Sequence, residues 1–320
     1  MLATAVLKSS KIPAVGIDLG GTTIKAALVS PELEVVAHEE VATDLSSQAA
    51  LLESIAQLVV KVRGVTDVLG VGFGLPSQVN QLTGRVAAST NVPIANVAFK
   101  EEMTRRLGVA VEIDNDANVA ALAEARVGVA QGLSHVIMLT LGTGVGGGIV
   151  IDGRIYRGAT GYGGELGHMV VDENGPPCQG HCPNHGCLEV MASAIGVMHA
   201  ATAIIATHPD GTLAKARQAG TLDVHHVIDR GLTGDSECVA ALGVVGRHLG
   251  VGIASYINIF NPQAVVVGGG ISSAGELILG PARDEAQQRA LPAPLHEVTI
   301  APAKLGNAAG VLGAAALILT

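Results

Sequence analysis

Aromatic side chains are almost missing from this chain: its 320 residues include no tryptophan, three tyrosines and three phenylalanines. The core must therefore be Val, Ile, Leu and Ala, brought close together by 42 glycines. Charge is thin as well, 15% of residues against 48% hydrophobic, a balance that suits an α/β protein with buried parallel strands. Four cysteines in a chain of this length make no disulfide scaffold. No apolar run reaches the roughly 18–20 uninterrupted residues of a membrane helix. Lys8 and Lys11 follow residues 1–6 instead of leading them, so no secretory signal is read there. Positive charge is in deficit: a net charge of −9 argues against a non-specific nucleic-acid binder, which needs clustered Lys and Arg. No helix-turn-helix pattern precedes the first strand. The Walker A pattern is missing, and neither the glycine-rich turn near residue 20 nor that near residue 143 opens a helix as a dinucleotide fingerprint must. These absences point to a cytoplasmic protein with neither a membrane nor a nucleic acid as partner, long enough for two domains.

What the sequence does contain is organised around two glycine-rich hairpins. Residues 14–18 form an apolar strand that ends in Gly20-Gly21-Thr22-Thr23 and continues as a second strand over 24–29, with a third over 35–41. Residues 47–63 carry apolar side chains at helical spacing, 68–73 a buried strand, 100–107 a helix, and 110–113 a strand that delivers Asp114-Asn115-Asp116 to a helix over 117–129. Residues 135–141 begin a second round: a strand, the run Gly142-Thr143-Gly144-Val145-Gly146-Gly147-Gly148, and a returning strand over 149–151. Helices follow over 188–207, 212–219, 222–230 and about 235–260, where Asn261-Pro262 stops the last one. A strand over 264–267 ends in Gly268-Gly269-Gly270; a helix (273–290), a strand (298–302) and a small-faced helix (306–319) complete the pattern. The repeat implies a duplicated fold whose halves face one cleft. Its expected domains are 1–115 with the returning helix 306–320, and 116–305.

Glycines let the backbone approach an anion, and the Thr hydroxyls and N–H groups can donate to phosphate oxygens. Alone, the turn after Asp18 could be a plain hairpin; its repetition at Thr143 and Gly144 favours phosphate binding, with Asp18 placed to hold water around a magnesium ion. Asp114-Asn115-Asp116 follows a strand and opens a helix. One Asp or Asn suffices to cap a helix, at about 1 kcal/mol, so the surplus points to function. Asp116 is the candidate general base for a substrate hydroxyl that attacks phosphorus.

His168, Cys178, Cys182 and Cys187 offer one imidazole and three thiolates in a loop rich in Gly, Pro and Asn. That is a tetrahedral zinc set, with His181 and His185 as rival ligands; four protein ligands leave no open position, so the metal is structural. The bland alternative is three inert thiols. Glu165 and Glu189 bracket the cluster and suit the hydrogen bonds of sugar hydroxyls, and Asn91 lies in a turn that could reach the same ligand. Cys238, alone in a helical segment, reads as core.

Together GIDLGGTTIKAAL, VEIDNDANVAALAE, LTLGTGVGGGIV, GELGHMVVDENGPPCQGHCPNHGCLE, VVVGGGI and LGNAAGVLGAA resemble the ROK family (repressors, open reading frames and sugar kinases) of the actin-like ATPase superfamily. The CQGHCPNHGCLE pattern is similar to actinobacterial-type zinc-containing glucokinases. The resemblance implies an α/β, two-domain actin-like ATPase (ribonuclease H-like) fold with an interdomain active-site cleft. It implies ATP-dependent phosphorylation of a hexose, glucose to glucose 6-phosphate first, with Asp116 as base and Mg2+ arriving with ATP. Asn91, Asn115, Glu165, His168 and Glu189 would bind the sugar. Gly20, Gly21 and Thr22, with Asp18 and Thr23, would serve one phosphate loop; Thr143 and Gly144 would form the other, and Gly269 would lie near the adenosine. His168, Cys178, Cys182 and Cys187 would hold Zn2+, so His168 would use both ring nitrogens. A homodimer or homotetramer is implied as well. Two departures stand out: the family commonly spaces its first two cysteines C-x-C, here C-x-x-x-C, and commonly has Gly after the proline where this chain has Pro76-Ser77. The alternatives are a kinase for another sugar (N-acetylmannosamine, fructose, allose), polyphosphate as donor, or a non-enzymatic sugar-sensing regulator.

Overall fold

In the computed structural model, residues 11–319 are described except Ala88, Thr90 and His181. The predicted meander forms β1 (Ala14–Leu19), β2 (Thr23–Val29) and β3 (Val35–Ala42). Ser47 caps α1 (Gln48–Arg63), its side chain accepting from the Ala50 N–H; Leu51, Leu52, Ile55, Leu58, Val59 and Val62 form the buried face. Next come β4 (Gly70–Leu75), a small hairpin of β5 (Val79–Asn80) and β6 (Arg85–Val86), α2 (Phe99–Leu107), β7 (Ala110–Asn115) and α3 (Asp116–Arg126). The second round comprises β8 (Val136–Leu141), β9 (Val145–Ile151), β10 (Arg154–Ile155), α4 (Leu188–Ala192), α5 (Ala194–Thr207), α6 (Thr212–Gln218), α7 (Val224–Leu232) and α8 (Ser236–Phe260). It is completed by β11 (Ala264–Gly268), α9 (Glu276–Arg289), α10 (Pro292–Glu297), β12 (Thr299–Pro302) and α11 (Ala309–Leu319).

The two main sheets have the same plan, β3-β2-β1-β4-β7 and β10-β9-β8-β11-β12. In each, a three-strand antiparallel meander is extended by two parallel strands next to its first member. This is the duplicated α/β organisation of the actin-like ATPase fold.

The chain divides into two compact units. Unit 1 takes the described residues up to Ala123, Arg157–Gly163 and those from Asn307 on; unit 2 takes Glu124–Tyr156 and Gly164–Gly306. The sequence reading placed the crossing at 114–117. The start of α3 instead goes with unit 1, because Val119 packs on Gly74 and on Gly313 of α11. α11 lies directly on the first sheet: a Cβ at Gly16 or Gly72 would overlap the Val311 or Ala314 carbonyl. In unit 2, buried Glu124 accepts from the N–H groups of Val129, Lys304 and Leu305.

Two predicted helices differ in detail, and one helix was not expected. The segment expected over 188–207 breaks at buried Ser193, whose Oγ accepts from the Ile195 N–H to cap α5. The segment expected over 273–290 opens with a short 3-10 turn, Gly270–Ala274, and its α-helix starts only after Gly275 at φ 58°. α10, which opens with Pro292 at a first helical position where proline is tolerated, falls between the segments read as helix and strand. Among the described residues α8 is long and apolar enough to cross a membrane by length and composition. Its buried side chains, Leu249, Ile253 and Tyr256 among them, belong to the core of unit 2.

Candidate active site

In unit 1 the C-terminal ends of β1, β4 and β7 lie side by side, with Asp18 opposite Gly74 and Gly74 opposite Asp114. The first hairpin closes through the Gly20 N–H to the Thr23 carbonyl, 3.0 Å. Thr43, just past β3, locks it: its Oγ donates to the Gly20 carbonyl at 2.7 Å and its N–H to the Thr22 carbonyl at 2.9 Å. Asn91 is brought against the turn, since a Cβ on Gly21 would sit 3.3 Å from the Asn91 Cβ. In the neighbouring loop Ser77 uses the hydroxyl that a glycine would lack, donating to the Ala87 carbonyl at 3.0 Å.

The Asp-Asn-Asp run divides its labour. Asp114, 1% exposed, accepts from the Asn115 N–H and the Asn118 Nδ2 (both 2.8 Å) on one oxygen, and from the Arg157 Nε (2.6 Å) on the other. Asn115 caps α3, its Oδ1 accepting from the Ala117 N–H at 2.9 Å. That leaves Asp116, whose Oδ1 accepts from the adjacent Ala117 N–H at 2.8 Å. Burial, reinforced by the Asp18 carboxylate, pushes Asp116 up to about 6. Asp18 is itself raised by burial, with Lys25 opposing. An acid poised there is matched to proton abstraction near neutral pH.

Sequence reasoning missed Asp114–Arg157, because its partners are 43 positions apart. Arg157→Ala would strand a buried carboxylate, and we expect a loss of about 3 kcal/mol, measured by urea unfolding. Asp114→Asn in the same background should recover part of it.

Unit 2 presents the second hairpin, closed by the Gly142 N–H to the Gly144 carbonyl at 2.9 Å. Its surroundings explain the break at Ser193: the first N–H of α5, on Ala194, donates to the Gly142 carbonyl at 2.9 Å. Glu189 of α4 reaches the same turn, its Oε2 accepting from the Val145 N–H at 3.2 Å, while its Oε1 stands 4.0 Å from the Cys178 Sγ. Gln179 Nε2 donates to the Thr143 carbonyl at 3.4 Å. The hairpin, the cysteine loop and Glu189 thus form one connected assembly. Gly269, at φ 87°, lies against the Leu141 backbone at the root of this hairpin. A Cβ on Gly144 would overlap the Glu189 carboxylate. Gly144→Ala should therefore fold but displace Glu189, with kcat/KM falling about tenfold or more in steady-state kinetics.

The four predicted metal ligands come together. One donor atom from each of His168, Cys178, Cys182 and Cys187 lies within 4.8 Å of every other. The Cys178 Sγ is 3.5 Å from the His168 Nδ1, and the Cys182 and Cys187 sulfurs are 3.9 Å apart. Tetrahedral zinc with Zn–S near 2.3 Å requires edges of about 3.7 Å, so the set fits zinc. Burial and the neighbouring Cys187 and Cys182 sulfurs push the Cys178 thiol up to about 12, and burial raises Cys187 as well. The Cys182 thiol is lowered, chiefly by the Asn184 backbone N–H. The longer C-x-x-x-C interval is accommodated by a turn through Gly180, at φ 58°, and by the Cys182 N–H donating to the Gln179 carbonyl. Of the rival ligands, His185 pairs by backbone with Pro177 and is not in the cluster, and His181 lies outside the described residues. Glu165, exposed, precedes the 3-10 turn Leu166–His168 that carries the histidine of the cluster.

The chain is similar to known proteins along most of its length. A glucokinase from Halalkalibacterium halodurans is 35% identical over 95% of this chain and 94% of its own. A putative xylose repressor from Caldicellulosiruptor is 33% identical over 96% of this chain and 78% of its own. A solved ROK family glucokinase from Streptomyces griseus, in complex with glucose and AMPPNP, is 31% identical with a TM-score of 0.80, covering 95% of this chain and 98% of that one. The ROK family profile matches residues 14–320, and with the repeated sheets and paired glycine hairpins that match establishes that the chain belongs to the ROK family.

Proposed function

We propose that this protein is an ATP-dependent hexose kinase, with glucose as the first candidate and glucose 6-phosphate as product. The observation that carries the reading is Asp116, a half-buried carboxylate raised to about 6 at the end of β7, in a chain with glucokinase relatives. Its carboxylate takes the proton of the sugar hydroxyl as the hydroxyl oxygen attacks the γ-phosphorus, the bond from that phosphorus to the bridging oxygen breaks, and ADP leaves. Phosphoryl transfer asks mainly for positioning and charge neutralisation. Asn91, Asn115, Glu165, His168 and Glu189 are assigned to the sugar hydroxyls. The hairpin of Gly20, Gly21, Thr22 and Thr23 and that of Thr143 and Gly144 are assigned to phosphates, and Gly269 to the adenosine. Asp18 would hold the water shell of an Mg2+ ion arriving with ATP, and that ion would supply neutralisation of phosphate charge. His168, Cys178, Cys182 and Cys187 hold Zn2+, which serves the cysteine loop in place of an apolar core. Clustered free thiols suit the reducing cytoplasm. A homodimer or homotetramer is the assembly family membership favours, checked by light scattering.

A coupled assay for ADP over a panel of hexoses and N-acetylhexosamines, with ATP or polyphosphate as donor, tests the reading. No sugar-dependent ADP release would sink it. The repressor relative keeps a second reading alive, a sugar-binding regulator without turnover; sugar binding by calorimetry with no ADP released would favour it.

A further inference from the structure

Tyr256 is one of the few aromatics, 1% exposed near the C-terminal end of α8. A buried phenol needs a partner for its O–H. Here it donates to the Leu166 carbonyl at 2.5 Å, 90 residues away. Burial raises the phenol, so it remains a donor across the working pH range. Leu166 opens the 3-10 turn Leu166–His168, and the same carbonyl also accepts from the Met169 N–H at 3.2 Å, which closes that turn.

The turn is boxed in. A Cβ on Gly167 would overlap the Val145 carbonyl, one on Gly147 would press on Leu166, and the Leu188 N–H donates to the Met169 carbonyl at 2.8 Å. The residue before Leu166 is Glu165 and the one after Gly167 is His168. The Tyr256 bond therefore grips the peptide between the two chemistry-bearing side chains of the turn, from a helix rooted in the unit 2 core.

We propose that Tyr256 is a positioning residue, whose hydrogen bond to Leu166 sets the orientation of Glu165 toward the sugar and of His168 toward the metal. The inference rests on the kinase reading for its sugar arm, but its metal arm stands apart from it. The alternative is that the phenol fills the core and the carbonyl merely satisfies its O–H.

Tyr256→Phe removes one oxygen and leaves the packing in place. In the zinc-loaded full chain we expect the sugar KM to rise about five- to tenfold, with the ATP KM within twofold and kcat changed less than the sugar KM. Zinc release to a chromogenic chelator should quicken several-fold. Ile253→Val, on the same helix, is the packing control: it should lower Tm and leave the sugar KM and zinc release as they were. A Tyr256→Phe protein with sugar KM and zinc release both at wild-type values overturns the proposal, whatever its Tm. So does an Ile253→Val protein that shifts both as far. Glu165→Gln separates the two readings: if it leaves the sugar KM unchanged, the sugar assignment of the turn fails, and the zinc-release comparison still decides the role of Tyr256.

Discussion

Asp116→Asn should cut kcat by about 10²–10⁴-fold, the usual contribution of a positioned base, with the sugar KM little changed. The amide keeps the shape and the hydrogen bond to Ala117 but cannot take a proton. In the wild type, kcat/KM should fall as pH drops through about 6, where the Asp116 carboxylate gains its proton. The same shift fixes a stability effect of opposite sense. The folded chain holds this proton more tightly than the unfolded one, whose value is near 3.8 against about 6 when folded. Protonation therefore favours the fold at acid pH, and that contribution is lost as pH rises between those values. The asparagine variant should then melt at or above wild type at neutral pH, with the gap closing near pH 4. Turnover close to wild type, with an unmoved acid limb, would remove Asp116 from the role of base.

Removal of zinc is the second large effect. Among the described residues from Met169 to Cys187 none is helical, and the strand-like pairs are isolated, Val170 with Cys187 and Pro177 with His185. Met169 and Val171 pack against the unit 2 core, but the residues from Asp172 to Gly186 are polar, Gly, Pro or Cys, so the proposed zinc is expected to hold them. Elemental analysis should find about one zinc per chain. A strong chelator, or Cys187→Ser, should expose this segment to subtilisin and lower sugar affinity by about a hundredfold, the scale of a misplaced binding group. The loss follows from Glu189, which stands between Cys178 and the Val145 N–H. Because thiols must lose protons to bind, and Cys178 without a cation titrates at about 12, zinc affinity should weaken as pH falls. Metal-free protein with full turnover would refute the claim.

The features legible in sequence were those written in local spacing. Glycine runs after apolar strands marked both hairpins, and three cysteines within ten positions, with a histidine upstream, marked the cluster that the folded chain assembles. The surplus acid after β7 was legible because a cap needs only one residue, and Asn115 is the one that caps. What stayed hidden was long-range and ended on backbone. Thr43 locks the first hairpin through main-chain groups, Glu124 collects N–H groups about 180 positions away, and Tyr256 bonds a carbonyl. A carbonyl or an N–H has no side-chain signature, so no pattern of residue types announces such a partner. The break at Ser193 was hidden for the same reason, since the Gly142 carbonyl helps to decide it.

The excursion of Arg157–Gly163 into unit 1, and the return of the chain there from Asn307, bear on how the protein is made. The first sheet receives α11 against Gly16 and Gly72 only once residues 309–319 exist. On the ribosome, unit 1 therefore has its strands long before it has the helix that covers one face of them, and unit 2 is synthesised in the interval. A nascent chain halted before α11 should expose that apolar face and recruit chaperones, although every candidate catalytic residue has already been translated. No single cut separates the units into continuous fragments, so one-piece truncations at either boundary should yield insoluble halves, not independent domains.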